Sequence, residues 1–384
     1  MILFHDIIQK IWRYFLLIPF FVFPVILSAQ DTLSLLFAGD IMGHQAQIRA
    51  ARVGRKQFDY FACFQYMKPV LESVDLAAGN LETTLPGRRP YTGHMAVPVF
   101  RSPDALAEAL YQVGFDVMLT ANNHANDGRR RGLQGTIHKL RQLGFYQTGT
   151  FLNEAERAEN YPLLIEKMGV RLAFLNATHV GTNYLPTPKP YKVNRFDTVK
   201  ILSDLEKTRV LKADFTFYIA HWGNEHQLEE SEEQRHQAFF LIKNGVDCIV
   251  GMHPHVVQPI RVETVFDERT GHYRSGLVAF SLGNFVSNHR LPNTDGGLML
   301  RVNLTRDSTG KIEIASFGFL PVWRLIRQKT NNKKAFFVLP ILEVEKNIIF
   351  CPELTSENCR KMSEYAKDIR ERLGHALEWR EKIK

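Results

Sequence analysis

The sequence predicts an α/β fold: one large domain with a β-rich second half and a helical tail. Three observations predict it. Short apolar runs alternate with segments of helical periodicity up to about residue 290, as strands and covering helices do. Beyond that point the runs "GGLMLRVNLT", "KIEIASFGFLPVWRL" and "AFFVLPILEV" follow one another as antiparallel strands with few helices between. A charged segment from Ser356 into "SEYAKDIRERLGHALEWREKIK" then closes the chain as a helix, charged on most faces.

The strands come in order as "LSLLFAGD", "VDLAAGNLE", "DVMLTANNH", "VRLAFLNATH", "DFTFYIAHWG", "DCIVGMHPH" and "LVAFSLGNFV", each bounded by polar or glycine punctuation. The helices between them carry their own end signals. Ser102 and Pro103 open "DALAEALYQV" as N-cap and first-turn proline, and Gly114 stops it. "GLQGTIHKLRQL" stops at Gly144, and "DTVKILSDLEKTRVLK" is amphipathic. Ser231 and Gln234 suit a capping box before "RHQAFFLIKN".

The N-terminus reads differently from the body. Lys10 and Arg13 precede "YFLLIPFFVFPVIL", and small residues Ser28 and Ala29 follow. A basic start, a short apolar stretch broken by prolines and a small-residue end predict a secretory signal over residues 1–29, with an uncleaved anchor as the other reading. The expected location is therefore exported, periplasmic or cell-envelope associated. Net charge is +8 over 384 residues and is spread along the chain, apart from Arg129-Arg130-Arg131. No basic arm or nucleic-acid motif supports nucleic-acid binding. Of the four cysteines, Cys63 and Cys248 read as core, and Cys351 and Cys359 could form a local disulfide in an exported protein. The absence of a C-x-x-C pair argues against a cysteine-based zinc site.

The polar residues fall at the strand ends. The first strand ends Gly39-Asp40 with His44 beyond; the second ends Gly79-Asn80-Leu81-Glu82; the third ends Asn122-Asn123-His124, with Asp127 after it. Two later strands end His221-Trp222-Gly223 and His253-Pro254-His255. Each alone has a plainer reading: Asp40 as a helix cap, Glu82 as surface charge, Asn122-Asn123 as turn formers, His221 as a core histidine. Together they deliver ligands to one sheet edge, where α/β proteins gather them. Asp, Glu, Asn and His without cysteine suit Mn, Fe or Zn at a hydrolytic site, and their number exceeds what one ion takes, so two divalent metal ions are expected. His94, His138, His236, His272, His289 and His375 lack this placement and read as ordinary residues. Arg129 to Arg131 is either a solvated run or a phosphate contact beside the site.

The ordered motifs "FAGDIMGH", "GNLETTL", "TANNHANDGRRRG", "HWGNEH", "GMHPH" and "FSLGNF" resemble the CapA family of poly-γ-glutamate capsule biosynthesis, within the calcineurin-like metallophosphoesterase superfamily. The resemblance runs from about residue 33 to 287 and implies a metallophosphoesterase-like four-layer α/β/β/α sandwich. It implies a domain over 31–325 and a strand and helical extension over 326–384. It also implies Asp40, Asn123, His221, His253 and His255 as metal ligands and His124 as general acid, oriented by Asp127. The chain departs from the superfamily twice: Asn80 stands where Gly-Asp is usual, with Glu82 the implied bridging substitute, and Met42 stands in place of the Asp-x-His histidine, leaving His44 nearby. The loop "NATHVGTNYLP" resembles a family loop over the site; Asn183 and Tyr184, with Asn122, are candidate substrate contacts, the alternative being a loop chosen for its turns. Asn284 of "SLGNF" is a brace or a turn residue.

The expected function is a metal-dependent phosphoesterase-type hydrolase in envelope or capsule polymer synthesis. Its expected partners are an anionic polymer or phosphoester substrate and membrane-bound capsule synthesis proteins. The rival expectation is a non-hydrolytic assembly subunit, and a third is hydrolysis of an amide polymer by the same device.

Overall fold

A computed structural model describes residues 32–92, 98–183, 185–268, 270–328, 333–347, 349–374 and 377–379. The expected signal over 1–29, Tyr184, His94 and His375 lie outside them. The strands are β1 (Leu33–Met42), β2 (Leu76–Glu82), β3 (Val117–Leu119), β4 (Tyr146–Thr148), β5 (Thr150–Phe151), β6 (Leu163–Lys167), β7 (Val170–Thr178) and β8 (Lys192–Val193). They continue with β9 (Phe215–His221), β10 (Cys248–Met252), β11 (Ile260–Asp267), β12 (His272–Ala279), β13 (Asn284–Val286), β14 (Gly296–Arg306), β15 (Ile312–Gln328) and β16 (Lys334–Pro340).

Two large sheets form. One has the order β16-β15-β14-β1-β2-β3-β4, with β13 also on β1; the other runs β11-β12-β10-β9-β7-β6. In the first, β1, β2, β3 and β4 form a parallel block at one end with antiparallel strands on its other side; in the second, parallel β7, β9, β10 and β12 are flanked by antiparallel β6 and β11. Parallel strands need both faces covered, which is why β1, β2, β9 and β10 read as unbroken apolar runs and are buried at every position.

Alternation sorts these residues into layers. Leu35, Phe37 and Ala78 of the first sheet meet Phe174, Phe217 and Val250 of the second in a shared core between the sheets. The intervening residues Leu36, Ala38 and Ala77 face outward against the helical segment 61–71 and helix Ala105–Gln112. On the far side, Tyr218, Ala220 and Ile249 pack on helices Thr198–Val210 and Glu232–Lys243. The result is the α/β/β/α sandwich.

Several local expectations are modified. Helix Ala105–Gln112 takes Asp104, not Ser102, as its N-cap, because the Ser102 hydroxyl is engaged with that of Thr83 at 3.0 Å. The helix that stops at Gly144 starts at Arg129. The capping box of Ser231 and Gln234 forms as read. Cys351 and Cys359 are both free: the first is buried beside Glu353 and the second is exposed on a helix. The C-terminal helix Ser356–Leu373 is not charged all round. Met362, Tyr365, Ala366 and Ile369 form a stripe at helical spacing that completes the core between the sheets. The expected boundary at 325/326 falls inside β15, and β16 and this helix belong to the same compact unit from Thr32 onward. Among the described residues no helix is long and apolar enough to cross a membrane.

Candidate metal centre

The carboxyl ends of β1, β2, β9 and β10 converge, and their register decides which side chains meet. A bulge at Gly39 shifts β1 against β2, so that Asp40 stands opposite Asn80 and Met42 opposite Glu82. Gly39 is required there, since a Cβ would lie 2.1 Å from the Gly283 carbonyl oxygen, and the Asp40 N–H donates to that same oxygen at 2.9 Å. On the other sheet Met252 pairs with His221, which puts His253 beside it with ring centroids 4.8 Å apart.

Three groups of side chains place one ligand atom each within 4.8 Å of one another: Asp40, Glu82 and His255; Glu82, His221 and His253; and Glu225, His253 and His255. Glu82 is common to the first two. Its Oε1 lies 3.8 Å from His255 Nε2 and 3.6 Å from His221 Nε2. The carboxylate is fully buried, and neither oxygen has a hydrogen-bond partner. Burial first, then the charge of Asp40, pushes its pKa well above the ordinary value. A buried carboxylate facing imidazole nitrogens without partners is what a bound cation resolves. His253 Nδ1 is likewise buried and unpartnered. Burial, reinforced by neighbouring imidazoles, holds His221 and His253 well below their ordinary pKa, in the neutral form that binds metal. The donor set therefore fits a metal ion.

Outer contacts orient the inner ones. Asn284 Oδ1 lies 3.1 Å from His255 Nδ1, and its Nδ2 donates to the His255 carbonyl, so this residue is a brace. Asn123 Oδ1 lies 2.9 Å from His221 Nε2, on the Glu82, His221 and His253 side. Asn80, expected as a ligand, has its amide engaged instead: Nδ2 donates to Asp40 Oδ1 at 2.7 Å, and Oδ1 accepts from Asn122. Asn122 was expected to touch substrate, but it is buried behind the centre, donating to the Leu81 carbonyl and accepting from the His124 N–H. His44 does not join the ligand groups. Its Nδ1 accepts from the Asn288 N–H, its ring packs on Phe100 and His289, and burial lowers its pKa to about 3.

His124 stands over the centre. Its Nδ1 lies 2.6 Å from Asp127 Oδ2, which also accepts from the Phe100 N–H, and its Nε2 lies 4.0 Å from Glu82 Oε1. Asp127 thus fixes the ring, and the other nitrogen faces the ligands. Asn183 approaches the same ring, with Nδ2 3.3 Å from Nδ1. With Asn123, His253, Arg195 and Glu225 it lines a cavity of about 850 Å³ that opens from the centre.

Sequence reasoning missed two residues here. His289, read as ordinary, has its ring 4.5 Å from that of His255. Its only sequence signal was a position five residues beyond the asparagine of "SLGNF". Glu225 joins His253 and His255, and sits inside the quoted "HWGNEH".

Fold and site together define a two-sheet α/β/β/α sandwich protein with a candidate metal centre at the carboxyl edge of both sheets. Residues 34–289 match the bacterial capsule synthesis protein PGA_cap family, and the chain belongs to that family. It is 27% identical over 293 residues to the PGA biosynthesis protein CapA of Bacillus subtilis, covering 74% of this chain and 71% of that one. It is 26% identical over 303 residues to the capsule biosynthesis protein CapA of Bacillus anthracis, covering 76% and 68%. Among solved structures it is similar to the NAD nucleotidase of Haemophilus influenzae, with a TM-score of 0.49, 13% identity, and coverage of 88% of this chain and 63% of that one. For the 5'-nucleotidase precursor of Thermus thermophilus the TM-score is 0.48, at 13% identity and 89% and 59% coverage. For the calcineurin-like phosphoesterase YfkN of Bacillus subtilis it is 0.43, at 14% identity and 89% and 99% coverage. The chain spans less than two thirds of the length of the first two.

Proposed function

We propose that this chain is an exported metal-dependent hydrolase of the phosphoesterase type, acting on an anionic polymer or phosphoester in cell-envelope or capsule polymer synthesis. One observation carries the reading: the unpaired, buried Glu82 carboxylate is shared by two ligand groups, the arrangement that a pair of divalent ions requires. In this reading Asp40, Glu82 and His255 would hold one ion, and Glu82, Asn123, His221 and His253 would hold the other, with Mn, Fe or Zn suited to the donor set. Two such ions, when bound, supply charge to polarise a phosphoryl group and lower the pKa of water.

The chain's own residues do the rest. His124, held by Asp127 through Nδ1, presents Nε2 toward the ligands and protonates the leaving oxygen. Asn183 lies against that ring on the cavity side, where a bound substrate would meet it. The neutral Asn123 keeps the centre from accumulating negative charge against an anionic substrate. Phe100 packs on the His124 ring at 4.4 Å between centroids and shields the pair from water.

The test is metal analysis of the purified protein with a phosphodiester and phosphomonoester screen, run on wild type and His124→Ala in parallel. Two equivalents of metal in both proteins, with activity lost only in the variant, is the expected result. No metal, or equal trace activity in both, overturns the hydrolase and promotes the non-hydrolytic assembly role.

A further inference from the structure

The arginines near the site form a connected band rather than scattered surface charges. Arg131 Nε donates to the Pro86 carbonyl at 2.9 Å, and its Nη2 reaches the carbonyls of Arg88 and Arg89. Arg89 Nη2 in turn donates to the Arg55 carbonyl at 3.3 Å, and Arg52 Nη2 donates to the same oxygen at 3.2 Å. At the other end Arg130 Nη2 donates to the Lys189 carbonyl at 2.7 Å. The Arg52, Arg89 and Arg131 guanidinium groups thus grip the backbone of another arginine's segment and that of Arg130 grips Lys189, through neutral acceptors that leave their charge uncompensated. Among the described residues none of Arg52, Arg55, Arg88, Arg89, Arg130 and Arg131 forms an ion pair with a carboxylate. All are exposed except the half-buried Arg131. The acid beneath the band, Asp104, is half-buried and accepts from the Gly87 backbone rather than pairing with an arginine of the band.

Like charges fixed side by side repel, and an exposed arginine normally finds a surface carboxylate at little cost. Six that find none, four of them held in place by their own hydrogen bonds to backbone carbonyls, match a partner with closely repeated negative charge. The band also has a direction. Arg130 lies three residues beyond Asp127, and it grips the far end of the loop whose Asn183 touches His124. We propose that this band is the docking track of an extended anionic polymer, which it leads toward the candidate metal centre. The inference rests on the polymer substrate class proposed above and assigns the surface that would hold it. A flat anionic membrane is the less fitting partner, because a bilayer seated on Arg130 would cover the approach to the cavity beside His124.

The test uses the full chain and two linear probes, fluorescein-labelled polyglutamate and long-chain polyphosphate, with phosphatidylglycerol vesicles as a third arm. Arg55→Glu/Arg88→Glu changes exposed side chains that make no hydrogen bond or ion pair among the described residues; Lys361→Glu/Lys367→Glu makes the same net-charge change on the C-terminal helix. The expected result is polymer binding that weakens with salt, lost by about tenfold or more in the band variant and within about twofold of wild type in the control. The preferred probe shows whether carboxylate or phosphate chains fit. Equal weakening in both variants, no polymer binding by wild type, or binding to vesicles alone overturns the track. Turnover of a small phosphodiester is expected to be the same in all three proteins. Its absence from all three counts against the hydrolase and leaves the binding result readable by itself.

Discussion

The backbone N–H of His253 donates to Asp40 Oδ2 at 3.2 Å, joining residues that lie 213 positions apart on the two sheets. That contact needs an unusual backbone. His253 has φ +99° and His255 has φ +59°, both left-handed, on either side of Pro254. Such geometry costs a non-glycine residue on the order of 1–3 kcal/mol and persists only where surrounding contacts over-determine it. Here Asp40, Asn284 and the facing imidazoles do so, and the strain sets His253 with Glu82 and His221 and His255 with Glu82 and Asp40, while both also meet Glu225.

The shared position of Glu82 separates its role from that of Asp40. Glu82→Gln is expected to lose both metal equivalents, and Asp40→Asn to lose one while keeping most of the other. Elemental analysis after dialysis reads both. Retention of two equivalents by Glu82→Gln would show that Glu82 is no bridge.

Asp127 orients, whereas His124 transfers the proton. His124→Ala is expected to lower kcat about 10²- to 10⁴-fold, with bound metal unchanged. Asp127→Asn is expected to fall between that and wild type, with a shifted pH profile for kcat because the ring loses its fixed tautomer. Loss of metal in either variant would place these residues in the ligand shell instead.

His179 gives the fold a pH dependence through a ring that belongs to none of the ligand groups, although the His179 backbone N–H donates to the His221 carbonyl at 2.9 Å. Its ring is buried, with Nδ1 2.8 Å from Gln237 Oε1 and Nε2 3.1 Å from the Tyr218 hydroxyl, and burial lowers its pKa to about 4 from an ordinary 6.5. The unfolded chain therefore binds a proton at lower cost, so stability from this residue is complete above pH 6.5 and is lost as pH falls toward 4. The linked loss is on the order of 3 kcal/mol. Urea titrations between pH 7 and 4 should show a shallower decline in His179→Asn than in wild type.

Gly39 is expected to tolerate no side chain. Gly39→Ala drives a methyl into the Gly283 carbonyl and should destabilise the protein by about 1–3 kcal/mol, read as a lower Tm. It should also reduce metal content, because the same bulge aims Asp40. A variant with wild-type Tm and metal would show that the bulge relaxes freely.

Much of this protein was determined by local sequence. Apolar runs closed by Gly-Asp, Asn-His or His-Pro-His marked strands and their carboxyl ends, because a strand buried on both faces has no other composition available. The capping box at Ser231 and the stop at Gly144 were equally legible, since caps are settled within a few residues. Asp40, Glu82, Asn123, His124, His221, His253 and His255 could be singled out for the same reason: each lies at the carboxyl end of its strand or within five residues beyond it.

What only the tertiary structure decided depended on register and on the opposite sheet. Asn80 and Asn122 look like ligands or contacts in the chain, but the offset at Gly39 sets Asn80 against Asp40, and Asn122 is turned to the Leu81 carbonyl and the His124 N–H. His289 and Glu225 carry no strand-end signal and reach the centre only because separate loops fold over it. The stripe of Met362, Tyr365, Ala366 and Ile369 is hidden in a charged helix until the gap between the sheets gives it something to fill. The arginine band is the same case at the surface. Arg52, Arg89 and Arg131 are far apart in sequence, and only the folded backbone supplies the carbonyls that line them up.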